Sequence, residues 1–102
     1  MEIELLYSAD CPNWHIARAH LAEALEAVGN RTHELVLRAV GTDEEARALR
    51  FPGSPTIRLN GHDLFPDTSR NYGLACRVYS TPDGLSGAPT VDQLVQALTN
   101  GT

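Results

Sequence analysis

The first forty residues carry a strand pattern, a helix pattern and a second strand pattern in close succession. Residues 2–7 alternate in polarity and then become continuously apolar, which is typical of a central strand. Residues 31–38 alternate again and predict a second strand. Between them, residues 12–28 have an apolar stripe at helical spacing that comprises Trp14, Ala17, Leu21, Ala24, Leu25 and Val28. We therefore expect a right-handed βαβ unit with two parallel strands, the first of them in the middle of the sheet.

Two more helices are predicted by their N-terminal capping residues. Thr42 and Glu45 have the spacing of a capping box, and the short helix that they open must end before Pro52. Thr90 and Gln93 form a second capping box, which opens an amphipathic helix near the C-terminus.

A β-hairpin is predicted between these two helices. Asn60-Gly61 lies between alternating residues and is the strongest short-range signal for a tight hairpin turn. We place its strands at residues 56–59 and 62–65, with Leu59 opposite His62. The predicted fold class is α/β, with the element order β-α-β-α-β-β-α and a four-stranded mixed sheet.

The segment between the hairpin and the last helix is predicted to be an insertion, over about residues 66–89. It is rich in Gly, Pro, Ser, Asn and Asp, and only residues 74–79 form a short run that contains apolar side chains. Loops of this length in a compact domain usually carry function. Cys76 lies inside this insertion.

Composition limits the classes of function. The 102 residues, 42% of them hydrophobic, predict one domain with a single core. The net charge is −5 and the eight basic residues are scattered arginines, which argues against a nucleic-acid partner. The absence of lysine excludes a Walker-type phosphate loop and Schiff-base chemistry. No apolar run approaches the length of a membrane span, so we expect a cytoplasmic protein without a membrane partner.

Cys11 stands where the first strand pattern ends and the first helix pattern begins. Free backbone N–H groups and the helix dipole favour a thiolate at such a position. Pro12, which follows it, is well suited to the first helical position. The plain alternative is a small buried cysteine without chemistry. Because Cys11 and Cys76 are too few for a disulfide-stapled scaffold, a catalytic or sensory role is favoured.

The element order and three local motifs resemble the thioredoxin-like fold in its short, glutaredoxin-sized form. Cys11-Pro12-Asn13-Trp14 stands where that family has its redox motif C-x-x-C, and Ser54-Pro55-Thr56 stands where it has a cis-proline that faces the catalytic cysteine. The hairpin with the Asn60-Gly61 turn matches the third and fourth strands of the family. The resemblance extends to small bacterial thioredoxin-like proteins, and it implies a substrate groove formed by Pro12, Asn13, Trp14, Ser54, Pro55 and Thr56.

The chain departs from the family at Trp14, which occupies the position of the second, resolving cysteine. A dithiol oxidoreductase needs a second thiol to release a mixed disulfide. Cys76 is one candidate, because the insertion begins at the end of the fourth strand, where the active site should lie. Glutathione or another small thiol is the other candidate, as a co-substrate. If neither applies, Cys76 is a packed residue on a short extra strand.

The resemblance and the two cysteines lead to two functional hypotheses. The first is thiol–disulfide exchange with a protein or small-molecule disulfide, with Cys11 as the nucleophile, Cys76 as the candidate resolving thiol and no bound cofactor. The second is a binding protein of the same fold that holds a soft metal ion or a partner through its thiols. No dedicated metal site is predicted from the histidines, because His15 and His20 lie on different helix faces. A thioredoxin-like domain that has lost its chemistry is the third reading.

Overall fold

The protein is described here by a computed structural model, which covers residues 2–29, 34–66 and 72–100. Across these ranges the chain forms three helices and a four-stranded mixed sheet, as well as a separate small hairpin. The elements in chain order are β1 (Glu2–Tyr7), α1 (Asn13–Ala27), β2 (Glu34–Ala39), α2 (Asp43–Ala48), β3 (Thr56–Leu59), β4 (His62–Asp63), β5 (Tyr79–Thr81), β6 (Gly84–Ser86) and α3 (Val91–Asn100).

The main sheet has the strand order β2-β1-β3-β4. β1 lies parallel to β2, with Leu5 opposite Leu37, and antiparallel to β3, with Leu5 opposite Ile57. The predicted α/β class, the mixed four-stranded sheet and the central position of β1 are confirmed. The start predicted for the second strand, at residue 31, lies outside the described residues.

The two faces of the sheet carry separate core clusters rather than the single core expected from the length, because successive side chains of a strand point to opposite faces. Ile3 and Leu5 pack on the side of α1 and α3, together with Ala17, Leu21, Ala24, Ile57, Leu59, Ala88, Leu94 and Leu98. Leu6 points to the other side and packs with Val40, Ala46 and Phe51 beneath α2. Side chains therefore pack against both faces of β1, which ends at Tyr7.

Local signals in the sequence account for the ends of the helices. Thr42 caps α2, where its hydroxyl accepts from the backbone N–H of Glu45 at 3.1 Å. At α3 the capping box is reciprocal: Gln93 N donates to Thr90 Oγ1 at 3.1 Å, and Thr90 N donates to Gln93 Oε1 at 3.0 Å. The predicted capping box at Thr90 is confirmed, and at Thr42 the predicted N-cap is confirmed, whereas the Glu45 carboxylate lies 3.4 Å from the Thr42 hydroxyl and not on its backbone N–H.

The β3–β4 hairpin has the predicted register but a shorter second strand. Asn60 and Gly61 have φ values of 52° and 84°, as a type I′ turn requires, and Leu59 pairs with His62. β4 ends at Asp63 rather than at residue 65, although the Leu64 N–H still donates to the carbonyl of Ile57 at 2.9 Å. The Asp63 carboxylate accepts from the backbone N–H of Phe65 at 2.9 Å, which makes a local turn where the strand ends.

The insertion contains structure that the sequence analysis did not predict. β5 and β6 form an antiparallel hairpin in which Tyr79 pairs with Ser86 and Thr81 pairs with Gly84.

Over the described ranges, no helix is long and apolar enough to cross a membrane.

Candidate functional site

Cys11 lies in the turn that joins β1 to α1. Its backbone N–H donates to the carbonyl of Ser8 at 3.1 Å, and Pro12 is the N-cap of the helix that follows. In the part of the chain that is described, no side chain caps this helix start. Cys11 therefore lies next to the positive end of the dipole of α1, which favours a negative charge in front of the helix. Cys11 itself is only 2% exposed.

The Ser54-Pro55 peptide bond faces Cys11 and is cis. Ser54 is fully buried, and its hydroxyl accepts from the backbone N–H of Ser8 at 2.9 Å. Cys11 Sγ lies 3.6 Å from the carbonyl oxygen of Ser54. The start of β3 and the end of β1 thus enclose the sulfur of Cys11 from two sides.

Residues 75–77, which we call the Cys76 segment, run alongside Ser54. The Ser54 N–H donates to the carbonyl of Ala75 at 3.0 Å, and the Arg77 N–H donates to the carbonyl of Ser54 at 2.8 Å. These two bonds make a parallel β-bridge between Ser54 and Cys76. The bridge brings a residue of the insertion next to the strand–helix junction.

Cys11 and Cys76 form a disulfide at this point. Their Cα atoms are 5.7 Å apart although 65 positions separate them in the chain. The two cysteines differ sharply in exposure, since Cys11 is buried and Cys76 is exposed. A disulfide with one accessible sulfur is chemically competent to react with a thiol from solution.

Arg77 and Tyr79 fix the Cys76 segment from the inner side. The Arg77 guanidinium donates to Asp63 Oδ2 at 2.8 Å, to Thr56 Oγ1 at 3.2 Å and to the carbonyl of Phe65. The Tyr79 hydroxyl donates to the carbonyl of Pro55 at 2.5 Å. The sequence analysis treated Arg77 as one scattered arginine among eight, and a single arginine in a loop gives no sequence signal that it will be buried.

The predicted groove residues divide into an accessible set and a buried set. Pro12 is exposed, and Asn13 and Trp14 are partly exposed. Ser54, Pro55 and Thr56 are buried, and of the three Ser54 is the residue that contacts Cys11 and pairs with Cys76.

Trp14 lies at the edge of the core, where it stacks on Tyr7 with ring centroids 4.2 Å apart. The ring of His15 also stacks on Trp14, with ring centroids 3.8 Å apart. His20 donates through Nδ1 to the carbonyl of Pro89 at 2.9 Å. In the described ranges, no cluster of three or more His, Cys, Asp or Glu side chains could hold a metal ion.

An open groove of about 680 Å³ lies between β4 and α3, on a part of the surface that neither cysteine lines.

No protein-family model, curated protein sequence or solved structure matches this chain. The thioredoxin-like assignment therefore stays a prediction, and the site has to be interpreted from its own geometry.

Proposed function

We propose that the chain is a thioredoxin-like protein that exchanges thiols and disulfides through the Cys11–Cys76 pair. The observation that carries the proposal is the disulfide between a buried cysteine at the start of α1 and an exposed cysteine, formed next to Ser54. The sheet order and the three helices are compatible with that fold. Cys76 supplies the second thiol that Trp14, at the usual position of a resolving cysteine, cannot supply.

The reaction consumes two external thiols for each protein disulfide. The first thiolate attacks one sulfur of the Cys11–Cys76 bond, forms a mixed disulfide and releases the other cysteine as a thiolate. A second external thiolate attacks the external sulfur of the mixed disulfide and frees the protein cysteine. The external pair is oxidised to a disulfide, and the protein is reduced to two thiols that take up two protons. The reverse sequence reduces an external disulfide.

The test is to equilibrate the protein in a series of glutathione redox buffers, alkylate it without reduction and measure its mass. We expect loss of two hydrogens at oxidising poise, with a midpoint that gives the reduction potential of the pair. Trypsin separates the cysteines, because cleavage at Arg18, Arg70 and Arg77 puts Cys11 in residues 1–18 and Cys76 in residues 71–77. A fragment that links these two peptides identifies the disulfide.

The matched control is the Cys11→Ser, Cys76→Ser double variant, whose mass should not change across the buffers. In a turnover assay with a small disulfide substrate, Cys11→Ser should lose the two-cysteine reaction. If both thiols of the wild type alkylate at every poise and no glutathione adduct forms, the exchange proposal fails. The alternative hypothesis, binding of a soft cation such as Hg(II) or Cu(I) by the two thiolates, is then the next to be tested by stoichiometric titration.

A further inference from the structure

We infer that exchange takes place at Sγ of Cys76, the cysteine of the insertion, and that Cys11 is the leaving and resolving sulfur. The inference rests on the proposed function, because it assigns the two roles within the same redox pair. It reverses the order expected from the sequence, in which Cys11 is the nucleophile.

Access to the two sulfurs decides the direction of attack. A thiolate attacks a disulfide along the S–S axis, from behind the sulfur to which it will be bound. The side of Cys11 Sγ that faces away from Cys76 is covered by protein, because Cys11 is 2% exposed and is enclosed by Ser8 and Ser54. Cys76 is exposed, and Val78, on the same side of the extended chain, is 61% exposed. An external thiolate can therefore reach Cys76 without moving the backbone.

The enclosure of Cys11 is made by main-chain groups and does not open by rotation of a side chain. The Cys11 N–H is bonded to the carbonyl of Ser8, and Cys11 Sγ lies 3.6 Å from the carbonyl oxygen of Ser54. Ser8 is in turn fixed by the hydroxyl of Ser54. Exposing the far side of Cys11 would require the end of β1 and the start of β3 to separate.

Cys11 is also well placed as the sulfur that leaves. When the S–S bond breaks, negative charge develops on the departing sulfur, and a leaving thiolate that is better stabilised leaves faster. Cys11 directly precedes the N-cap of α1, where the positive end of the helix dipole favours an anion. Cys76 has no helix start next to it, because it lies on an extended segment.

The Cys76 segment is anchored by bonds that do not involve the disulfide. Its backbone is bonded to Ser54, the neighbouring Arg77 is bonded to Asp63, and Tyr79 is bonded to the carbonyl of Pro55. These contacts keep Cys76 beside Cys11 after the S–S bond has broken. The Cys11 thiolate can then return to Cys76 at high effective concentration and expel a bound external thiol.

Exchange at Cys76 takes place in two steps in each direction. An external thiolate R–S⁻ attacks Sγ of Cys76, the bond to Cys11 breaks, and R–S–S–Cys76 forms while Cys11 leaves as a thiolate. A second external thiolate then attacks the R sulfur, so that R–S–S–R and the Cys76 thiolate are released. In reverse, the Cys76 thiolate takes R–S from an external disulfide, and Cys11 attacks Cys76 and expels R–S⁻.

Single-cysteine variants test this division of roles. Reduced Cys11→Ser and Cys76→Ser proteins are each mixed with oxidised glutathione, and the gain of one glutathionyl group is followed by intact mass. We expect Cys11→Ser, which keeps the exposed thiol, to react on the order of tenfold faster than Cys76→Ser, because reactivity follows access. In denaturing urea the two rates should become similar, which shows that the difference comes from the fold.

A measurement on the wild type does not depend on the folding of either variant. The disulfide form is mixed with reduced glutathione, quenched in acid at short times, treated with a maleimide that blocks the freed thiol while the solution is still acidic, and then digested with trypsin. A glutathionyl group on residues 71–77 supports the inference, and one on residues 1–18 overturns it while the exchange function stands. If the wild-type disulfide is not reduced at all, both the proposed function and this inference fail.

Discussion

Arg77 shows how a single side chain holds the site together. It is 7% exposed, and a buried charge is tolerated only when it is paired and hydrogen-bonded. Its guanidinium donates hydrogen bonds to the carboxylate of Asp63 and the hydroxyl of Thr56. Its Cζ lies 4.6 Å from the centroid of the Tyr79 ring. Arg77 therefore joins β3, the end of β4 and the Cys76 segment at one point, in the residue next to Cys76 of the disulfide.

Replacing Arg77 by Gln should destabilise the protein by about 3 kcal/mol, because removing one partner of a buried ion pair leaves the other uncompensated. The partially exposed carboxylate of Asp63 places the expected loss at the lower end of the usual range. Urea unfolding of the disulfide form measures the loss. The matched control is Arg38→Gln, which removes a 3.6 Å ion pair with Glu4 whose arginine is 52% exposed.

The Arg38→Gln control should cost no more than about 1 kcal/mol, because this pair is 3.6 Å apart and its arginine is half exposed, even though the Glu4 side chain is only 14% exposed. Equal losses for the two arginine variants would contradict the anchoring role of Arg77.

At the scale of elements, the site depends on how closely the Cys76 segment approaches the start of β3. Gly53 makes this approach possible. Its φ is 140°, and a Cβ built there would lie 3.0 Å from the carbonyl oxygen of Ala75 and 3.0 Å from the Cβ of Arg77. Both the backbone conformation and the close contact exclude a side chain, so this glycine sets the distance between Ser54 and Cys76.

Gly53→Ala should lower the free energy of unfolding by about 1–3 kcal/mol, the usual range for a residue forced into such a conformation. It should also push the Cys76 segment away from Ser54. Less of the protein should then be in the disulfide form at a given glutathione poise.

Gly61→Ala is the control for Gly53→Ala, because Gly61 also has a positive φ, of 84°, but no atom lies within 4 Å of the added Cβ. It should lose stability without changing the poise at which the disulfide forms. The prediction fails if both glycine variants leave the midpoint of the glutathione titration unchanged.

At the scale of the whole molecule, the features of the fold that could be predicted from the sequence are those determined by residues close together in the chain. The helix caps at Thr42 and Thr90 and the register at Asn60-Gly61 each depend on groups a few positions apart. The pairing of Cys11 with Cys76 depends on the path of the chain over 65 positions, and from the sequence Cys76 was only one of two candidates for the second thiol. Which cysteine is exposed depends on tertiary packing and has no local signal.

One missed element did have a signal in the sequence. Thr81-Pro82-Asp83-Gly84 has the composition of a tight turn, and the structure places a turn there, with Asp83 N donating to Thr81 Oγ1 at 3.2 Å. The flanking strands β5 and β6 have three residues each, and β6 is exposed throughout. Strands this short and this exposed show no alternation of polar and apolar residues, and alternation is the pattern by which a strand is recognised.

Reduction of the disulfide should destabilise the protein without unfolding it at room temperature. A cross-link over 65 positions restricts the unfolded chain and contributes about 2–4 kcal/mol, which in a domain of this size corresponds to a melting temperature higher by on the order of 10–30 °C. Neither core cluster contains Cys76, and the bonds of Arg77 and Tyr79 do not require the cross-link. Calorimetry with and without a reductant measures the difference.

The Cys11→Ser, Cys76→Ser double variant should melt at the temperature of the reduced wild type and be insensitive to the reductant. If the reduced and disulfide forms melt together, the cross-link does not stabilise the fold. By thermodynamic linkage, the free energy that the disulfide adds to folding equals the free energy by which folding favours the disulfide over the two thiols. The shift in melting temperature and the difference between the glutathione midpoints of the native protein and of the protein in denaturing urea are therefore two measurements of the same coupling, and they must agree in sign.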